Sequence, residues 1–78
     1  MRFRLGTDKT VTVVFEPSAA EHTLEAGESI IIEWFDGIRD DGFVRLDADC
    51  LVVDAPSHGY TRAWEENGEE IYVGSDSE

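Results

Sequence analysis

Hydrophobic and polar positions alternate along most of this chain with the period of two that marks β-strands with one buried face. Thr10-Val-Thr-Val-Val-Phe15 is the clearest case, with Val11, Val13 and Phe15 on one side and Thr10, Thr12 and Val14 on the other. Its β-branched side chains suit a pleated, half-buried surface. The run Ser29-Ile-Ile-Ile-Glu-Trp-Phe35 is the most apolar. Ile30, Ile32 and Trp34 fall on one face, Ile31, Glu33 and Phe35 on the other. A strand apolar on both sides belongs at the centre of a sheet with a cover on each face. A domain this small has little to offer as a second cover, so Ile31 and Phe35 are the candidate contact face of a homodimer.

Turn signals cut the rest into short pieces. Arg2-Phe-Arg-Leu5 alternates and suits an edge strand. Pro17 cannot donate to a ladder and ends the strand before it. His22-Thr-Leu24 is a short strand, and Gly27 in Glu25-Ala-Gly-Glu28 supplies the positive φ of a turn. Two Asp-Gly pairs lie between Asp36 and Gly42, and further strands are expected near residues 43–46, 50–53, 60–66 and 69–73. No segment has a helical period. The expectation is an all-β small sandwich or barrel of six to eight short, mainly antiparallel strands. Residues 1–73 would form one domain, with 74–78 as a flexible acidic tail.

Asn67-Gly68 is the strongest hairpin signal. As a two-residue loop it pairs Glu66 with Glu69, Glu65 with Glu70, Trp64 with Ile71 and Arg62 with Val73. Two like-charged cross-strand pairs at one tip are each unfavourable within a scale of about 0.2–1 kcal/mol. They gather negative charge on one knuckle, making Glu65, Glu66, Glu69 and Glu70, with Tyr72 beside them, candidate partner-binding residues.

Composition sharpens this. The 78 residues carry 18 acids against 6 bases, a formal net charge of −12. Arg2, Arg4 and Lys9 face only Asp8 within the first ten residues, so the remainder is more acidic still. Such a field repels phosphate backbones and excludes direct nucleic-acid binding outside the amino-terminal patch. Its counterpart is a basic protein surface, unless the acidity is an adaptation of the host. A lone Cys50 forms no internal disulfide, and small domains in oxidising compartments usually need staples, which points to the cytoplasm. No run approaches a membrane span and no apolar stretch follows Met1-Arg-Phe-Arg-Leu5, so neither a membrane anchor nor a leader is expected.

Candidate chemistry is sparse. His22, Cys50 and His58 are the soft ligands, spaced unlike the close pairs of zinc sites; two imidazoles and a thiolate are at most a weak cupredoxin-like set. Asp36, Asp40 and Asp41 share a loop, but aligning Gly42 with the glycine of an EF-hand puts Gly37 and Arg39 at ligand positions. Ser57-His58 are neighbours without a nucleophile elbow. No cofactor and no enzymatic activity are expected.

The stretch Phe15-Glu-Pro-Ser-Ala-Ala-Glu-His-Thr-Leu-Glu-Ala-Gly-Glu-Ser29 resembles a phrase in small acidic actinobacterial β-proteins of unassigned function, and Tyr60-Thr-Arg-Ala-Trp64 is similar to their later aromatic strand. The same phrase resembles the His-x-Leu-x-x-Gly-Glu passage of cupin-like barrels, where only His22 matches a metal ligand. These resemblances imply a bacterial β domain without assigning its chemistry. The leading expectation is a non-enzymatic interaction module of inhibitor, immunity-type or DNA-mimic kind. The alternative is a cupin-like or cupredoxin-like barrel binding a small ligand or metal.

Overall fold

The computed structural model describes residues 1–74; the expected acidic tail falls outside the described residues except for Gly74, which is buried. Eight strands follow one another: β1 Arg2–Gly6, β2 Val11–Glu16, β3 Ala20–Leu24, β4 Ser29–Phe35, β5 Phe43–Asp47, β6 Cys50–Asp54, β7 Tyr60–Glu65 and β8 Glu70–Ile71. They form two four-stranded sheets, ordered β1-β4-β7-β8 and β3-β2-β6-β5. All pairings are antiparallel except β2 with β6. The fold is a small all-β sandwich.

The core is the sum of the inward faces. Val11, Val13 and Phe15 from β2 and Val53 from β6 meet Ile30 and Ile32 from β4, Ala63 from β7 and Ile71 and Val73. Strand β4 is central in its sheet, as its two apolar faces require. Its inward pairings with β7 set large against small, Ile32 opposite Ala63 and Trp34 opposite Thr61. Trp34 meets Phe3 of β1 edge-on, ring centroids 5.0 Å apart. Gly42, just before β5, lies against the same indole, where a Cβ would come within 2.9 Å of the ring. Ser18, after the cis Glu16-Pro17 bond, sets its hydroxyl against the Val73 carbonyl. The flanks of the sandwich follow from these contacts: β1 and β5 border one open side, β3 and β8 the other.

The last hairpin differs from its expected register. Ala63 pairs with Ile71 and Trp64 with Glu70, one residue out of step with the two-residue loop. The loop is three residues, Glu66-Asn67-Gly68. Gly68 N donates to Glu65 O at 2.9 Å, Glu65 N to Glu69 O at 2.8 Å, and Gly68 takes φ +91°. This is a type I turn closed by a glycine bulge. Trp64 therefore faces outward, opposite Ile31, while Ala63 takes the buried place beside Ile32.

Outward, the first sheet carries a charge ladder. Arg2 on β1, Glu33 on β4, Arg62 on β7 and Glu70 on β8 alternate in sign from strand to strand. Arg2 Nη1 lies 2.9 Å from Glu33, and Arg62 grips Glu70 through Nε and Nη2 at 2.8 and 2.7 Å. Both guanidinium carbons sit over the Trp64 ring, 5.5 and 5.4 Å from its centroid. Ile31 lies directly across from Trp64, and Phe35 stacks on Tyr60 at 5.2 Å. Ile31 and Phe35, the expected dimer face, are thus half-buried beside side chains of their own sheet.

Candidate functional site: the acidic end

Two turns distant in sequence meet at one end of the sandwich. The first joins β3 to β4: Glu28 N donates to Glu25 O at 3.0 Å, and Gly27 at the third position takes φ +85°. A Cβ on Gly27 would meet nothing within 4 Å, so the glycine is required by backbone conformation alone. Glu28 bends back to accept the Glu25 amide at 3.0 Å, and Gly27 N binds Thr7 O at 2.9 Å, tying this turn to the one after β1. The second is the β7–β8 hairpin, where Asn67 Oδ1 accepts the Glu69 amide at 2.9 Å. Between them opens a cleft of about 540 Å³ bordered by His22, Glu28, Ser29, Glu65, Glu66 and Asn67.

The four hairpin carboxylates are not equivalent. Glu66 accepts the Ser29 hydroxyl and lies 3.4 Å from Arg4 Nε, pinning the hairpin to β1 and β4. Glu70 belongs to the charge ladder; its bidentate bond to Arg62 holds its carboxyl below the usual range and raises the guanidinium correspondingly. Glu65 and Glu69 have no side-chain partner among the described residues. Their backbones are bonded across the hairpin, Glu65 N to Glu69 O at 2.8 Å, which sets the two residues opposite each other. Tyr72 is 72% exposed just beyond β8. Sequence reasoning found these residues and not their division into two structural and two unpaired carboxylates, which depends on the long-range approach of Arg4, Ser29 and Arg62.

The soft ligands are dispersed. His22 pairs with Val13 on the core-facing side of β3, while Cys50 neighbours Thr12 on the outward side of β6. His58 is exposed in the loop after β6, with φ +62°. The structure does not bring the three together, and no group of three or more His, Cys, Asp or Glu suited to a metal ion occurs among the described residues.

At the opposite end, Asp41 accepts both the amide and the hydroxyl of Ser57, and Ile38 N donates to Ser57 O at 3.1 Å. Those bonds from Ser57 hold the Asp41 carboxyl below its ordinary value. Gly59 sits where a Cβ would come within 2.5 Å of the Phe35 carbonyl. This acidic loop therefore has an internal use for one of its carboxylates, as a clasp between two loops. The bond links residues 16 apart, and nothing local in the sequence marks it.

No helix among the described residues is long and apolar enough to cross a membrane. Comparison with protein-family models, with curated proteins and with solved structures returns no match.

Proposed function

We propose that this chain is a non-enzymatic interaction module that recognises a basic protein surface through its acidic end, in the manner of an inhibitor, an immunity-type protein or a DNA mimic. One observation supports the reading most. Glu65 and Glu69 stand side by side, without ionic partners among the described residues, on a hairpin made rigid by its bulge and by the Glu66 contacts. Glu28, on the other lip of the cleft, adds charge of the same sign. Fixed like charges without counterions raise the local potential, and the charge of an opposing basic surface relieves it. The backbone there is already ordered, so less conformational freedom is lost on binding.

A fluorescent deca-lysine peptide tests this by anisotropy. Glu65→Gln combined with Glu69→Gln is expected to weaken binding at least about fivefold at low salt, with the difference shrinking as the Debye length falls toward about 8 Å. The control removes two exposed acids elsewhere, Glu21→Gln with Asp40→Asn. Equal weakening by both pairs would show a response to net charge alone and end the case for a site at the hairpin.

A further inference from the structure

Four strands border the two sheets. Strand β8 is two residues long, β3 lies along the cleft, and β1 carries Arg2 and Arg4 in ion pairs. Strand β5 is different. It offers five residues of free edge without proline or lysine, and an edge so plain is a template for another strand. Phe43 is 48% exposed on its outward side. Leu46 shares the inward side with Val44 yet is 64% exposed, because β5 borders an open flank.

Charge singles out the same strand. Arg2, Arg4, Lys9 and Arg62 each have an acidic partner within 4.0 Å, and Arg39 acts on Asp41. Arg45 has none among the described residues, although the chain holds three acids for every base. Asp47, two residues on and on the same side of β5, is likewise without a partner among the described residues.

We propose that β5 is the pairing edge for a second copy of this chain, joined antiparallel about a two-fold axis at Leu46. Extending the sheet with its outward faces aligned requires the axis to pass a residue rather than a peptide bond, because opposed side chains must lie on the same side. An axis at Arg45 sets two guanidiniums against each other. An axis at Val44 leaves both Asp47 carboxylates unmatched. The axis at Leu46 sets Arg45 of each copy opposite Asp47 of the other, twice over, and brings the two exposed leucines together.

The backbone agrees. Asp47 and Cys50 flank the two-residue turn Ala48-Asp49, a position where paired residues exchange both their bonds. By alternation the amide and carbonyl of Leu46 then point to the free edge, where the same residue of the second copy offers the complementary pair. Each copy carries −12, so association needs the screening of physiological salt. The contact is small, and its dimer is of the weak, concentration-dependent kind. It is independent of the acidic end, and its test uses no basic ligand.

Sedimentation velocity of the full chain, from micromolar to hundreds of micromolar protein at about 0.15 M salt, reads the outcome. Wild type is expected to shift from monomer to dimer across that range. Arg45→Asp or Asp47→Arg alone should raise the dissociation constant at least about tenfold, because each sets like charges opposite one another. The double reversal should return it to within about threefold of wild type, since the exchanged charges again oppose. Urea denaturation at low concentration confirms that each variant is folded, and Leu46→Lys serves as a second disrupting variant. A wild type that stays monomeric throughout overturns the proposal, as does a dimer indifferent to the single reversals or a double reversal that fails to restore it.

Discussion

The outward faces of the two sheets are built on the same plan of four strands, and they handle exposure in opposite ways. On the β1-β4-β7-β8 sheet, Arg2, Glu33, Arg62 and Glu70 bond across the strands and Trp64 stands beside them, so long side chains of the sheet itself do the work of a third layer. On the β3-β2-β6-β5 sheet the outward side carries Thr12, Val14, Val52, Phe43 and Arg45. Val52 is buried there outside the main core cluster, while Phe43 at the edge is exposed and Arg45 lacks an ionic partner among the described residues. One face satisfies its charges internally; the other ends in an unmatched strand. Net charge alone hides this contrast, because half of the chain's six bases are spent on the first face.

Removing the cover should break the comparison most visibly. Trp64→Ala strips the indole from Ile31 and takes away the seat of two guanidiniums, and should lower stability by about 2 kcal/mol. Phe43→Ala, an aromatic truncation on the other sheet, should stay within about 0.5 kcal/mol in dilute protein. Urea midpoints compared at constant slope measure both. Equal losses would mean that Trp64 is no more a covering residue than Phe43.

A finer test is acidity. The Glu70 carboxyl is depressed by Arg62 and that of Asp41 by Ser57, so each binds its proton less readily in the folded chain than in the unfolded one. Their contribution is therefore present above the ordinary carboxylate range and is lost as pH falls through the lower, folded values. Glu70→Gln and Asp41→Asn should each lower the neutral plateau of the stability curve while changing its acid end little, which flattens the acid limb. High salt should erase more of the Glu70→Gln difference, since that pair faces solvent. A variant whose acid limb matches wild type would show that its carboxylate adds nothing in that range.

Much of the strand order along the chain was legible. The alternation in residues 10–15, the doubly apolar run of β4 and the glycine of the Glu25–Glu28 turn each reflect forces that act over a few residues. The hairpin register was not. Asn67-Gly68 suits both a two- and a three-residue loop, and the choice goes with Ile32 and Trp34, which have Ala63 and Thr61 beside them on a strand about thirty residues away. The candidate site was legible only as a list of glutamates. Its division into pinning and unpaired carboxylates was not, because Arg4, Ser29 and Arg62 reach them only through the fold. Ile31 and Phe35 were correctly placed opposite the core face, and the cover for that face came from residues whose position depended on the same unread register.

The parallel seam between β2 and β6 also bears on how the chain reaches this state. Val13 must wait for Leu51, and in the other sheet Ile32 must wait for Ala63, so each sheet draws strands from both halves of the chain. Neither half holds a complete sheet of its own. A topology dominated by such distant partners closes large loops before any contact rewards them, and topologies of that kind fold slowly, on a scale of about milliseconds to seconds. Until β6 arrives, β2 keeps one edge unpaired, and a net charge of −12 makes one such chain repel the next.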